Sequence, residues 1–425
     1  MDWIIDSLPQ LDQPAGLEGV AAHNPEDVWA VGSQGDSLNT RTLVEHFDGD
    51  AWSVASSPNP SSYFDAFKDV SGASTSDVWA VGWQVESQGA AAETLIAHWD
   101  GHAWSTTDSI PGTLRGVLAL SANDAYAVGG SPNGPLILHW DGVAWSTANL
   151  PDGIPALTQL TSISGSSSDD LWAVGPPGLP GLNLDDSLTL HWNGTNWSVA
   201  ESPPGLNKPT LEDVSAAPEG VWAVGTIVDT LGRALVEYWD GDHWTERSEG
   251  LPWHSVPETI LATATQGTWL AGVQFTDPGS LSLIAKWDGA TWVAAADSIP
   301  GTYLWALDED SDGGLWAVGS SSNDAFIEHT CVTASQTGTP TPLLTITPTP
   351  GQAALGNADC THGIDANDGL AIILDLANLA ALPCPDNADV NCSGVVDAVD
   401  ALGIFRFLAL LPSLPSASGC RQIGT

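Results

Sequence analysis

Asp77-Val78-Trp79-Ala80-Val81-Gly82, then Leu95-Ile96-Ala97-His98-Trp99-Asp100-Gly101, then Trp104-Ser105, is one copy of a phrase that recurs along most of the chain. Its first aromatic returns at Trp29, Trp79, Tyr126, Trp172, Trp222, Trp269 and Trp316, at spacings of 50, 47, 46, 50, 47 and 47 residues. A second slot holds Phe47, Trp99, Trp140, Trp192, Trp239 and Trp287. A third holds Trp52, Trp104, Trp145, Trp197, Trp244 and Trp292. With Trp3, these slots use 18 of the 21 tryptophans, so the excess over 4 Tyr and 7 Phe comes from reuse of one structural plan. A fixed period of this length is the mark of a repeat architecture.

Each copy reads as four short strands. The first is an apolar alternation such as Leu17-Glu18-Gly19-Val20, and a polar turn leads to the strand Val-Trp-Ala-Val, which ends on Gly. The third is Leu-Ile-x-His-Trp, and it turns back through Asp-Gly, or Asn193-Gly194 in the fourth copy, into a strand that starts at Trp. Asp-Gly and Asn-Gly tolerate the positive φ of tight hairpins. Four strands in ~45 residues, seven times over, predict a mainly β fold, a seven-bladed propeller.

The seventh copy runs from Leu304 to Cys331 and lacks its Trp-Asp-Gly-x-x-Trp, whereas Trp3–Pro9 parallels Trp292–Pro300. Residues 3–9 are therefore expected to supply the outer strand of the last blade and to close the ring, which removes open edges. The propeller is assigned to residues 1–332.

Val128-Gly129-Gly130, followed by Leu138-His139-Trp140-Asp141-Gly142-Val143-Ala144-Trp145, resembles the kelch-type pattern of a Gly doublet and two spaced aromatics. The resemblance covers residues 3–332, and six of the seven copies have a single Gly.

Between strands 2 and 3 the loops vary freely (Ser33–Thr42, Trp83–Glu93, Pro176–Ser187, Gly130–Gly134), and variable loops on a rigid scaffold are where binding is usually found. Trp83, Trp253 and Trp305 lie outside the repeat slots and form the candidate ligand face, with Tyr63, Phe64, Arg41, Arg233 and His254. His46, His98, His139, His191 and His329 recur at one position but are expected to hydrogen-bond a strand neighbour, because equivalent positions in different blades lie too far apart to share an ion. Sialidase-type turns and a Tyr–Cys cofactor are missing from the sequence, as are nucleophile-elbow, zinc-protease and phosphate-loop motifs. No catalytic residue is assigned.

From Thr333 the chain becomes a Pro/Thr-rich linker, taken as residues 333–356. Residues 357–425 follow as a small module. Asp389-Val390-Asn391-Cys392-Ser393-Gly394-Val395-Val396-Asp397-Ala398-Val399-Asp400 places oxygen donors at positions 1, 3, 5, 9 and 12 with Gly at 6, a calcium-loop pattern that leads into an apolar helix. Residues 357–368 align with it 32 residues earlier.

This duplicated, mainly helical unit resembles a dockerin module, a calcium loop–helix pair that plugs into a cohesin. The resemblance implies calcium ligands Asn357, Asp359, Thr361, Gly363 (carbonyl), Asp365 and Asp368 in the first loop. In the second it implies Asp389, Asn391, Ser393, Val395 (carbonyl), Asp397 and Asp400. It also implies partner-reading positions at Ala366, Asn367, Ile373 and Leu374, and at Ala398, Val399, Phe405 and Arg406. Four of the five cysteines fall in this module and allow three pairings; the repetition favours Cys360–Cys384 and Cys392–Cys420. Cross-links suit a small extracellular domain.

Lys and Arg number 9 against 52 Asp and Glu, a net charge of −43. So acidic a chain repels phosphate backbones and anionic lipids, and no apolar run reaches the ~20 residues that span a bilayer. Met1 runs straight into Asp2-Trp3-Ile4-Ile5, and no secretory leader is read there. The expected function is a secreted or cell-surface binding protein, its propeller facing a glycan or a protein and its module held by a cohesin-type partner through calcium. The rivals are a carbohydrate-active enzyme with a catalytic propeller and a structural surface or filament subunit.

Overall fold

The computed structural model describes residues 3–330, apart from 37–38, 157, 177–186, 201–208, 228–232, 296–297 and 323. They belong to one compact unit, Met1–Ser335. The linker, both calcium loops, the partner-reading positions and all five cysteines lie outside the described residues.

Antiparallel strands assemble into seven four-stranded blades, two of them joined into one ladder by a parallel bridge from Thr40 to Phe64. The innermost strands are Ala15–Asn24, Phe64–Ser74, Thr113–Ser121, Ser162–Ser167, Pro209–Ala217, Ser255–Thr263 and Thr302–Glu309, which number blades 1 to 7. Each packs against the next, and Thr302–Glu309 packs against Ala15–Asn24, so the ring is closed around a central channel.

Middle strands are covered on both faces by neighbouring blades, which is why they read as unbroken apolar runs. Val78, Trp79, Ala80 and Val81 are all buried. The repeated tryptophans clasp one blade to the next. Trp29 of blade 1 stands edge-on to Trp104 of blade 2, with centroids 5.4 Å apart and planes at 81°. Trp79–Trp145, Trp172–Trp244 and Trp222–Trp292 repeat the geometry, and Trp316 of blade 7 meets Trp52 of blade 1. Such pairs contribute about 0.5–1.5 kcal/mol each beyond the area they bury.

Closure follows the same plan. Strand Trp3–Ile5 pairs with Asp324–Thr330 in the register Trp3↔Thr330, and Trp3 stands edge-on to Trp269 of blade 6 at 6.3 Å. Trp3 is therefore the third-slot tryptophan of blade 7.

The outer hairpin turns at its Asp-Gly. Asp100 Oδ1 accepts the N–H groups of His102 and Ala103, and Gly101 takes φ +89°. Asp48, Asp141, Asn193, Asp240 and Asp288 do the same in their blades.

The recurrent histidines are structural. His46 stacks on Trp29 and its Nε2 lies 2.7 Å from Asp27 Oδ1, the carboxylate that opens the neighbouring strand. His98–Asp77, His139–Asp124 and His191–Asp170 are equivalent. Blades 5, 6 and 7 have Gly220, Gly267 and Gly314 where the Asp would stand. There Tyr238 donates its hydroxyl to the Glu219 carbonyl, Lys286 lies over Trp269, and His329 bonds to Asp6 of the N-terminal segment.

Candidate functional site

Six of the seven innermost strands share one irregularity. Leu17 pairs with Gly32 and Gly19 with Val31, so Glu18 is the extra residue of a β-bulge. The same interruption falls on Lys68, Arg115, Glu212, Glu258 and Trp305. A bulge bends its strand and re-aims a side chain. Here it also explains the Gly that ends every Val-Trp-Ala-Val strand. A Cβ on Gly82 would stand 1.9 Å from the carbonyl oxygen of Ala66, and one on Gly225 would stand 1.8 Å from that of Thr210.

These residues line a cavity of about 440 Å³ on the ring axis. In blade order they are Glu18, Lys68, Arg115, Glu212, Glu258 and Trp305, with Thr161 at the same place in blade 4. Lys68 is ion-paired with Glu18. Lys68 and Arg115 both lie over the ring of Trp83, at 5.3 and 5.7 Å. Burial and the neighbouring carboxylates of Glu212 and Glu18 push Glu258 up to about 7. Burial also raises Glu212, against the pull of Arg115.

Below the mouth, buried acids staple the blades together. Asp213 accepts the Ser162 hydroxyl of blade 4, the Thr259 hydroxyl and Ile260 N–H of blade 6, and its own Val214 N–H. Asp69 accepts the Val117 N–H, and Asp308 the Ala22 N–H. Burial drives Asp69 and Asp308 up to about 7 despite these bonds. His23, whose buried Nε2 has no hydrogen-bond partner among the described residues, is lowered by burial and lines the same cavity.

The residues singled out from sequence divide. Trp83 lies in strand Asp77–Val85, stacked on Phe64, and Trp305 in the innermost strand of blade 7, stacked on Tyr303; neither is on a loop. Trp305 lines the channel, while Trp83 is reached from it only through Lys68 and Arg115; Trp305 and Phe64 also line a shallow groove of about 390 Å³ across blade 1 that shares Glu18 with the channel. Trp253 alone sits on a connection, 76% exposed, beside His254 at φ +61°. Arg41 is a fastener, bonded to Asp65 and to the carbonyls of Ser61 and Ser62, and Arg233 pairs with Glu246. The structure thus moves the candidate site from the loops to the channel. A signal was present in the sequence: the residue after the first apolar position of strand 1 is charged in five of seven copies.

No family model matches the chain, and no curated protein matches it in sequence. Solved structures do match. One, "YCF48 bound to D1 peptide", has a TM-score of 0.51 at 17% identity and covers 77% of this chain and 96% of that one. Another, "Structure of U3-55K", has a TM-score of 0.51 at 12% identity and covers 78% of this chain and 98% of that one. Likeness at such identities concerns the fold, and the fold is a β-propeller.

Proposed function

We propose that the protein is a secreted, non-catalytic binding protein whose kelch-type propeller takes its ligand at the channel mouth. Residues 357–425 serve as a dockerin-like tether, held by two calcium ions and gripped by a cohesin-type partner, beyond a linker at 333–356. The carrying observation is the ring of bulged side chains. The propeller places two of its few cations, Lys68 and Arg115, on one tryptophan at the rim of a partly desolvated cavity, where fixed polar groups give a ligand its orientation. The propeller of similar fold that is described as bound to a peptide makes a peptide a reasonable first probe. Peptide and glycan arrays test this on the full chain, with Trp83→Ala as the comparison. Retention that Trp83→Ala abolishes is expected, and its absence from both arrays would overturn the channel as a binding site.

A second reading, a carbohydrate-active propeller, is favoured by one observation. Glu258, raised to about 7, lies near Glu212 and Glu18, and unequal carboxylates are what glycoside hydrolysis uses. Reducing-sugar release that Glu258→Gln abolishes would replace the first reading.

A further inference from the structure

We infer that the channel binds a small zwitterion, its carboxylate held by Arg115 and its ammonium group by Glu212 and Glu258. The inference rests on the reading of the channel as the binding site and names the ligand's chemistry.

Around the ring, Arg115 enters from blade 3, and Glu212 and Glu258 enter the same cavity from blades 5 and 6. Arg115 is close enough for its charge to favour ionised Glu212. Yet among the described residues no ion pair joins them, and the buried Nε of Arg115 has no hydrogen-bond partner. The neighbouring cation is already committed, because Lys68 is paired with Glu18. Arg115 instead lies over the face of Trp83 and lines the cavity with no carboxylate paired to it among the described residues.

A cavity lined by an Arg115 that has no ion pair and by the partly buried carboxyls of Glu212 and Glu258 restricts what can fill it. A simple anion would satisfy Arg115 and be repelled by Glu212 and Glu258. A simple cation would do the reverse. A neutral sugar offers hydroxyls to Arg115 and to the carboxyls but leaves each charge uncompensated, and hydrogen bonds between ionised partners are about twice as strong as neutral ones. One molecule carrying both charges answers Arg115 and the carboxyls together. Trp305, next to Glu258 in blade order, adds an aromatic face of the kind that attracts ammonium groups. The volume of about 440 Å³ lies in the range of small-molecule sites and suits an amino acid or a short peptide with free termini.

Titration calorimetry on the full chain tests this. The probes are free α-amino acids, ω-amino acids of increasing length and tripeptides with free termini. They are compared with their methyl esters, which lack the carboxylate, with N-acetyl forms, which lack the ammonium, and with monosaccharides. At least one zwitterion should bind, with its ester and its N-acetyl form each ten-fold weaker or worse. Arg115→Gln should weaken the zwitterion ten-fold while leaving its ester unaffected, and Glu258→Gln should do the same with respect to the N-acetyl form. Equal binding of ester, N-acetyl form and parent, measured on the unaltered protein, would overturn the inference whatever the variants do. So would a panel without a binder beside a positive peptide or glycan array, which would leave the channel as the binding site. Silence in both would sink the inference and the underlying reading together.

Discussion

Glu45 is fully buried on the third strand of blade 1, and neither carboxylate oxygen has a hydrogen-bond partner among the described residues. Burial pushes it up to about 7 from an ordinary value near 4.5. The folded state therefore holds its proton to higher pH than the unfolded chain does. This carboxyl costs nothing below about pH 4.5, where both states are protonated, and stability is lost as pH rises to about 7, reaching ~3 kcal/mol. Glu45→Gln, which keeps the shape and removes the ionisation, should raise the melting temperature at pH 8 and leave it unchanged at pH 4.5. A gain of equal size at both would show that burial of charge is not the cause. The same sign applies to Glu258, Asp69 and Asp308, so the intact propeller should also be more stable at pH 5 than at pH 8.

At the scale of the strand, bulge and glycine are one device. The bulge brings the inner strand's carbonyl against strand 2, and only a residue without Cβ fits there. Gly225→Ala would have to displace the Thr210 carbonyl and the bulge that carries Glu212. A loss of about 1–3 kcal/mol in chemical denaturation is expected, the usual cost of overpacking. A loss below about 0.5 kcal/mol, within the range of ordinary surface changes, would mean that the strand yields freely and that the glycine is not needed for the bulge. The hairpin turn is the opposite kind of element. Its Asp, or Asn193 in blade 4, accepts backbone N–H groups two and three residues on, so the turn is made by local bonds and is the same in blades 1 to 6.

The whole molecule depends on a ring that the N-terminal strand completes. Trp3→Ala removes the edge-on contact with Trp269 and should cost about 2–3 kcal/mol, somewhat less than truncating a fully buried tryptophan. Deleting residues 1–9 also strips Asp324–Thr330 of its partner and His329 of Asp6, which leaves an exposed sheet edge. That variant should melt earlier and self-associate on size-exclusion chromatography; a monomer with an unchanged melt would mean that closure contributes little. For the proposed calcium module the expectation is separate. Saturation a hundredfold above Kd would stabilise it by about 2.7 kcal/mol, so calorimetry should show one transition that a chelator lowers and a propeller transition that it does not. Identical traces with and without chelator would remove calcium from the proposal.

Periodicity alone determined the seven copies, the four strands in each, the Asp-Gly turns and the closing role of Trp3. All of these depend on spacing along the chain or on one segment matching another, and a linear pattern records both. The role of the histidines was legible for the same reason, although the part that Asp6 plays for His329 in blade 7, where Gly314 stands in place of the usual Asp, was not, since it depends on which segment closes the ring. The channel was decided by tertiary structure. Whether Glu18 or Arg115 is a surface residue or a bulged one is set by a two-against-one count between paired strands, which no single strand carries in its sequence. Arg115, Glu212 and Glu258 belong to three different repeats, and only the closed ring brings their distant positions into the lining of one cavity.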